Sequence, residues 1–316
     1  MTVALSLFAY AIAVAIATRL LRRPWVSRAP RLAVVLWQLA LLVVVGATTS
    51  GLLALAVPGA AGGGLADLLQ ACAGALRLAY QEPVGRELGL LLGVLSAAAV
   101  VARISVCLAG ELWRSAQRRR RHLDALMLLG RPDGESGLVV IDHPTPAAYC
   151  VPGRDGRIVL TTAAMAALDE RQLAGVLGHE QAHLTQRHDL VLAAVRGLAR
   201  AFPVPLFRTA ETEVAALLEM LADDAASDPE QRVILATALL EVAAGSLELP
   251  AGALGAARTQ VAARVQRLVA PARPLPALAA ALTIAGTTGA FLAPAVIAIA
   301  PAVAAAALPY CPLPVA

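Results

Sequence analysis

Residues 88–121 read LGLLLGVLSAAAVVARISVCLAGELWRSAQRRRR. An apolar run from Leu88 to Gly110 ends against Arg114 and the block Arg118 to Arg121. About 20 apolar residues in a helix cover the hydrocarbon core of a bilayer, and cations clustered just beyond such a run belong in water on one side of it. Arg103 sits inside the run, within two turns of its end, and can extend its aliphatic stem to the interface. This junction divides the chain into an apolar part and a polar one.

Working outward, residues 3–21 and 32–57 are further apolar blocks, and another begins near Leu275 and passes Pro294 and Pro301. The expected architecture is an integral membrane α-helical protein with four transmembrane helices, at about 3–21, 32–57, 88–110 and 276–298. An outer loop at 58–87 joins the second and third, so residues 1–110 form the first membrane region. Residues 111–273, which carry most of the charge, form a soluble domain, and 274–316 hold the fourth span and a short outer tail. Composition agrees. The 316 residues are 59% hydrophobic, with a mean hydropathy of +0.70, above the roughly 45–50% of soluble domains. A soluble part of about 150 residues is long enough to bury a core. Ala15-Ile16-Ala17 resembles a signal-peptide cleavage site, but Arg19, Arg22 and Arg23 follow the apolar run instead of preceding it, the reverse of a signal's order.

Orientation follows the arginines. Arg19, Arg22, Arg23, Arg28 and Arg31 lie between the first two spans, Arg114 and Arg118 to Arg121 follow the third, and Arg264, Arg267 and Arg273 precede the fourth. Only Arg77 and Arg86 lie between the second and third. A multi-pass plasma-membrane protein is expected, with both termini outside and the soluble domain in the cytoplasm. Cys72 and Cys311 then fall on the outer side, where a disulfide can form, and are a candidate pair. Cys107 and Cys150 read as thiols without metal-ligand spacing. All 26 basic residues are Arg, yet aromatics are only 3% and no stacking platform accompanies them, which argues against a nucleic-acid partner.

Within the soluble part, 137–143 (GLVVIDH) and 156–162 (GRIVLTT) are short β-branched runs, with Pro152-Gly153-Arg154-Asp155-Gly156 as a turn. They predict a small sheet with a hairpin. Asp169, with Gln172 three residues on, predicts a capped helix whose apolar stripe is Leu173, Val176, Leu177 and Leu184. A further helix is predicted from Ala210 to Ala226, started by Thr209, and another from Asp228-Pro229 to about Gly245. The soluble domain is therefore expected to be α+β and mostly helical.

The capped helix carries His179-Glu180-Gln181-Ala182-His183. Two His at i and i+4 are about 40° apart around a helix, so both imidazoles can reach one metal ion, with Glu180 on the flank beside a metal-bound water. A polar surface helix could carry the same residues, but here the apolar stripe means that the His face is not simply solvent. Catalytic zinc normally takes three protein ligands. Glu219 is the leading third, with Asp223 one turn on to orient a ligating imidazole through its other nitrogen. Glu211, Glu213 and Asp224 are weaker competitors. His188 lies at i+5 from His183, which on an ideal helix points it elsewhere, and reads as structural or as a partner of a ligand. His122 and His143 have no companions in the sequence. With Zn2+ polarising the scissile carbonyl, Glu180 serves as general base and then as proton donor to the departing amine.

Four spans with an HExxH domain between the third and fourth resemble the BlaR/MecR-type membrane zinc metallopeptidases, the β-lactam-responsive signal transducers. The motifs are Ala147-Tyr149-Val151-Pro152-Gly153, His179 to Leu184 with Arg187-His188-Asp189, and Glu219 to Asp224. The related HtpX-like and CAAX-prenyl-protease families share HExxH, ExxAD and a strand ending in Pro-Gly. The resemblance implies a gluzincin-like, zincin-type fold with His179, His183 and Glu219 as zinc ligands and Glu180 catalytic. It also implies that Ala148, Tyr149 and Cys150 form an edge strand that pairs with an extended substrate. The β-lactam sensors carry a penicillin-binding domain after the fourth span. This sequence runs to Ala316 without an acylatable-serine motif there, so a member without that sensor is expected. The functional expectation is an endopeptidase cleaving a cytoplasmic or membrane-proximal protein, such as a transcriptional repressor, in signalling or regulated proteolysis. The alternatives are a non-catalytic transducer with structural zinc and a membrane-protein quality-control protease.

Overall fold

The computed structural model describes residues 2–56, 83–133, 137–153, 156–225, 228–245, 251–270 and 275–307. Cys72, Cys311 and most of the 58–87 loop lie outside them. Helix α1 (Thr2–Ala17) runs on as a 3-10 turn, Thr18–Arg22, and a second 3-10 turn, Pro24–Arg28, precedes α2 (Pro30–Ala56) and α3 (Pro83–Leu129). Four strands follow: β1 (Gly130–Asp133), β2 (Leu138–Ile141), β3 (Ala148–Val151) and β4 (Arg157–Thr161). The remaining helices are α4 (Thr162–Ala167), α5 (Glu170–Thr185), α6 (His188–Ala201), α7 (Pro205–Asp223), α8 (Pro229–Gly245), α9 (Ala251–Val269) and α10 (Ala277–Ala307). The chain divides into two compact units: Met1–Arg23, Val35–Ser105 and Pro276–Ala316 form one, and Pro24–Val34 with Val106–Leu275 form the other.

In the first unit, helical segments carry nearly uninterrupted apolar sequence, and Leu7, Trp37 and Leu41 are fully buried. Among the described residues, three helices are long and apolar enough to cross a membrane: Val3–Arg22, Pro30–Ala54 and Leu91–Leu126. The fourth expected span falls on α10, whose described apolar stretch, Ala277–Ala293, is shorter than those three. The third was expected to stop at Gly110. Instead α3 continues unbroken to Leu129, because residues 111–129 are rich in Arg and Leu, good helix formers, and hold no proline or glycine.

The second unit contains the sheet, in the order β1-β2-β4-β3. The two β-branched runs become β2 and β4, parallel neighbours with Val139 opposite Val159. The hairpin is made by β3 and β4 across the Pro152-Gly153 turn, with Cys150 opposite Ile158. Strand β1 is an addition that its sequence, GRPD, did not suggest. This order leaves β3 on the outside. Alternation along the strands turns Tyr149, Val151, Val159 and Val139 onto one face, where they pack with Leu123 and Leu126 of α3.

The helices grow from local signals. Asp169 and Gln172 close a capping box on α5: the Gln172 N–H donates to Asp169 Oδ1 at 2.8 Å, and the Asp169 N–H donates to Gln172 Oε1 at 2.9 Å. Val176 and Leu173 then pack against Leu235, Ala236 and Ala238 of α8 and Leu268 of α9. Helix α7 starts at Pro205 in the N1 position, one turn before the expected start at Thr209, because proline fixes the first-turn φ and has no N–H to leave unpaired. Phe207, Ala210, Val214, Leu217, Leu218 and Leu221 are its buried stripe. Asp228 caps α8 as expected, accepting from the Glu230 N–H at 2.9 Å. Helix α9 had no counterpart in the sequence reading.

Candidate metal centre

Two neighbouring helices supply the site. On α5, His179 is buried and His183 lies one turn further on, and the stripe that binds α5 to α8 fixes the rotation that presents both imidazoles to α7. On α7, Glu219 and Asp223 are likewise one turn apart, and Asp223 is fully buried. One donor atom from each of His179, His183 and Glu219 lies within 4.8 Å of the other two. The two Nε2 atoms are 3.2 Å apart. Glu219 Oε2 is 3.5 Å from His179 Nε2, and Oε1 is 3.6 Å from His183 Nε2. Four ligands in a tetrahedron around zinc, with bonds near 2.0–2.1 Å, lie about 3.3 Å from one another. Two imidazoles and one carboxylate at these separations fit zinc in both chemistry and spacing, with one position left open.

The outer nitrogens are held as well. His179 Nδ1 is 3.1 Å from Asp223 Oδ1. His183 Nδ1 is 2.9 Å from His188 Nδ1. The i+5 spacing pointed His188 away on an ideal helix, but the helix does not continue. Arg187 adopts φ 54°, ψ 43°, and this left-handed residue separates α5 from α6 and returns the His188 ring to His183. His188 Nε2 is buried without a hydrogen-bond partner among the described residues.

Glu180 points to the sheet. Its carboxylate interacts with the thiol and N–H side of Cys150 on β3. Burial raises the Glu180 pKa, and burial with the nearby Glu180 pushes the Cys150 thiol up to about 12. Burial disfavours the His179 imidazolium, but hydrogen bonds to Asp223 and Glu219 outweigh it and bring its pKa to about 9. His188 is driven down to about 4 by burial and by His183. Burial opposes ionisation of Glu219 and Asp223, yet His179 and Arg264 hold both below the usual carboxylate range.

Arg264 was read in the sequence only as a marker of membrane sidedness. From α9 its guanidinium donates to Asp223 through Nη2 at 2.6 Å and Nε at 2.9 Å, and Nη1 reaches Glu219 Oε2 at 3.0 Å. Nη2 also lies 3.3 Å from His179 Nε2. Along the sequence nothing separates it from Arg258 and Arg267 on the same helix. The competitors for the third ligand are engaged elsewhere or lie outside the cluster. Glu211 pairs with Arg196, Asp224 pairs with Arg267, and Glu213 is not part of the group. Ala148, Tyr149 and Cys150 do form an outer strand beside α5, and His122, without a companion in the sequence, is 2.9 Å from the Tyr149 hydroxyl.

Residues 112–260 match Peptidase family M48, which supports a metallopeptidase. The match covers β1 to β4, α5, α7 and the part of α9 before Arg264. The BlaR/MecR-type likeness is carried by the sequence motifs alone. No curated protein and no solved structure matches the chain.

Proposed function

We propose that the chain is a membrane-bound zinc endopeptidase that hydrolyses peptide bonds of a cytoplasmic or membrane-proximal protein. The observation that carries this reading is the convergence of His179, His183 and Glu219 from two helices at tetrahedral zinc spacings. Glu180 sits next to His179, with its carboxylate against the outer strand. The family match and the three long apolar helices support the metallopeptidase and membrane parts respectively.

Bound by these residues, zinc would supply Lewis-acid polarisation of the scissile carbonyl and acidity to a water beside it. The protein's own groups do the rest. Asp223 accepts from His179 Nδ1 and so presents Nε2 inward, and His188, kept neutral by its lowered pKa, can accept from His183 Nδ1 in the same way. Arg264 fixes the Asp223 and Glu219 carboxylates. Glu180 takes the proton of the attacking water on its carboxylate and passes it to the leaving nitrogen. Its raised pKa brings it nearer the pH at which such an exchange is efficient. The free edge of β3 offers main-chain hydrogen bonds to an extended substrate laid alongside Cys150. For that, the substrate must displace the Cys150 N–H from Glu180 or pair beyond it.

Glu180→Gln tests the reading, since it keeps the shape and all three ligands while removing the base. Comparative proteomics of cells expressing the full-length wild type and this variant is expected to show at least one protein cleaved only by the wild type. Purified Glu180→Gln should retain zinc, whereas His183→Ala should lose it. Equal processing by wild type and Glu180→Gln would reduce the site to a structural metal centre.

A further inference from the structure

We propose that the cavity beside β3 is a subsite for a carboxylate of the substrate chain, either an acidic side chain or the C-terminal carboxylate, close to the scissile bond. The inference rests on the peptidase reading above and deepens it.

The cavity has a volume of about 800 Å³ and lies entirely within the second unit. Arg118 and Arg119 of α3 and Arg196 and Arg200 of α6 line it, with Glu111 and Glu211 as the acidic residues. Four guanidinium groups against two carboxylates leave a formal charge of +2 facing the space. The two acids are already engaged: fully buried Glu111 binds Arg200 at 2.5 Å and Arg118 at 3.3 Å, and Glu211 holds Arg196 at 3.2 Å. Those contacts anchor three of the four cations before any ligand arrives. Arg119 has no ion-pair partner among the described residues, and its Cδ and Nε lie 3.7 Å from where a Cβ on Gly153 would stand, at the end of β3. A planar, preorganised guanidinium cluster with surplus charge matches a carboxylate, which it can bind through paired N–H donors.

The position of the cavity selects a peptide as its occupant. Its wall includes Tyr149, Cys150 and Val151, so the strand whose Cys150 touches the Glu180 carboxylate also borders the arginines. Side chains along a strand alternate between faces. A peptide added to the free edge of β3 therefore sends every second side chain to the face of Tyr149 and Val151, the side on which α3 packs. At about 3.3 Å per residue, the chain passes the arginines within a few residues of the bond opposite Glu180. An acid at one of those positions is recognised, and a lysine there is repelled.

The test uses the full-length, zinc-loaded protein in phosphatidylcholine nanodiscs. Fluorogenic peptides carry Glu, Gln or Lys in turn at each position flanking the cleaved bond, and each is made with a free and an amidated C-terminus. Glu at one position, or the free terminus, is expected to raise kcat/KM about tenfold over its neutral counterpart. Arg119→Gln should shrink that ratio to below about threefold, and Arg119→Glu should invert it toward Lys. The readout is a ratio within each variant, so a partly folded sample does not imitate it. Equal rates for Glu, Gln and Lys, and for free and amidated termini, in a wild type whose activity Glu180→Gln abolishes would sink the subsite and leave the peptidase standing. If the wild type cleaves no peptide, the peptidase reading falls and fluorescence anisotropy of the same labelled peptides judges the cavity: a carboxylate preference lost in Arg119→Gln supports it, and none overturns it. Flotation with phosphatidylglycerol vesicles supplies the last arm. If Arg119→Gln weakens binding to those vesicles and leaves peptide preference untouched, the occupant is a lipid headgroup and the proposal is wrong.

Discussion

Asp223→Asn removes one negative charge and little volume, and the structure says what that charge does. The Asp223 side chain is fully buried and meets the Arg264 guanidinium at 2.6 and 2.9 Å and His179 Nδ1 at 3.1 Å. Arg264 is itself only 13% exposed, so without Asp223 it is left with Glu219 as its acidic partner. Taking one partner from a buried ion pair costs about 3–5 kcal/mol, because the other charge stays buried. For a domain of this size that corresponds to a fall in Tm of roughly 6–20 °C. Losing the group that orients a ligating imidazole weakens metal binding by about 10–100-fold, or about 1.4–2.8 kcal/mol. The assay is competition for zinc against a chromophoric chelator in detergent, with thermal melts of the zinc-loaded and chelator-treated protein. Glu230→Gln is the control. It breaks the Arg171–Glu230 pair, whose side chains are 72% and 65% exposed, and pairs so exposed are worth about 0–1 kcal/mol. An Asp223→Asn protein that binds zinc within twofold of wild type and melts with the Glu230→Gln control would refute the role given to Asp223.

Three further outcomes are expected. In the metal-free protein the His179 pKa of about 9 lies above its ordinary value near 6.5. The stabilisation is therefore complete below about pH 6.5 and lost as pH rises through about 9; chelator-treated protein should weaken over that window in urea melts, while zinc-loaded protein, whose His179 is ligated instead of protonated, should not. Asp169→Ala deletes the acceptor of the Gln172 N–H and should cost about 1 kcal/mol, read as a small fall in urea midpoint with unchanged slope. Gly197→Ala places a Cβ 3.0 Å from Leu108 Cα, a backbone atom that cannot rotate aside, and should cost about 1–3 kcal/mol; a variant as stable as wild type would show that α3 and α6 can part there.

What the sequence determined by itself was everything set by neighbours along the chain. The Asp169 capping box, the apolar stripe behind it and the placement of His179, Glu180 and His183 on one turn follow from helical periodicity, and apolar length alone marks three helices as able to cross a membrane. The sheet order was not legible, because a β-branched run specifies a strand but not its partner: the two strongest runs lie parallel, while the less obvious Ala148–Val151 takes the hairpin and the outer position. His188 depended on one backbone angle at Arg187, which no periodicity encodes. Arg264 stands 85 residues from His179 in sequence; on its own helix it is one of three arginines. Only packing of α9 against α7 and α8 brings it to Asp223 and Glu219, where burial makes two carboxylates cheaper to ionise beside a guanidinium than alone. Local stereochemistry could write the metal-binding pair, but the charges around it were decided by which helices came together.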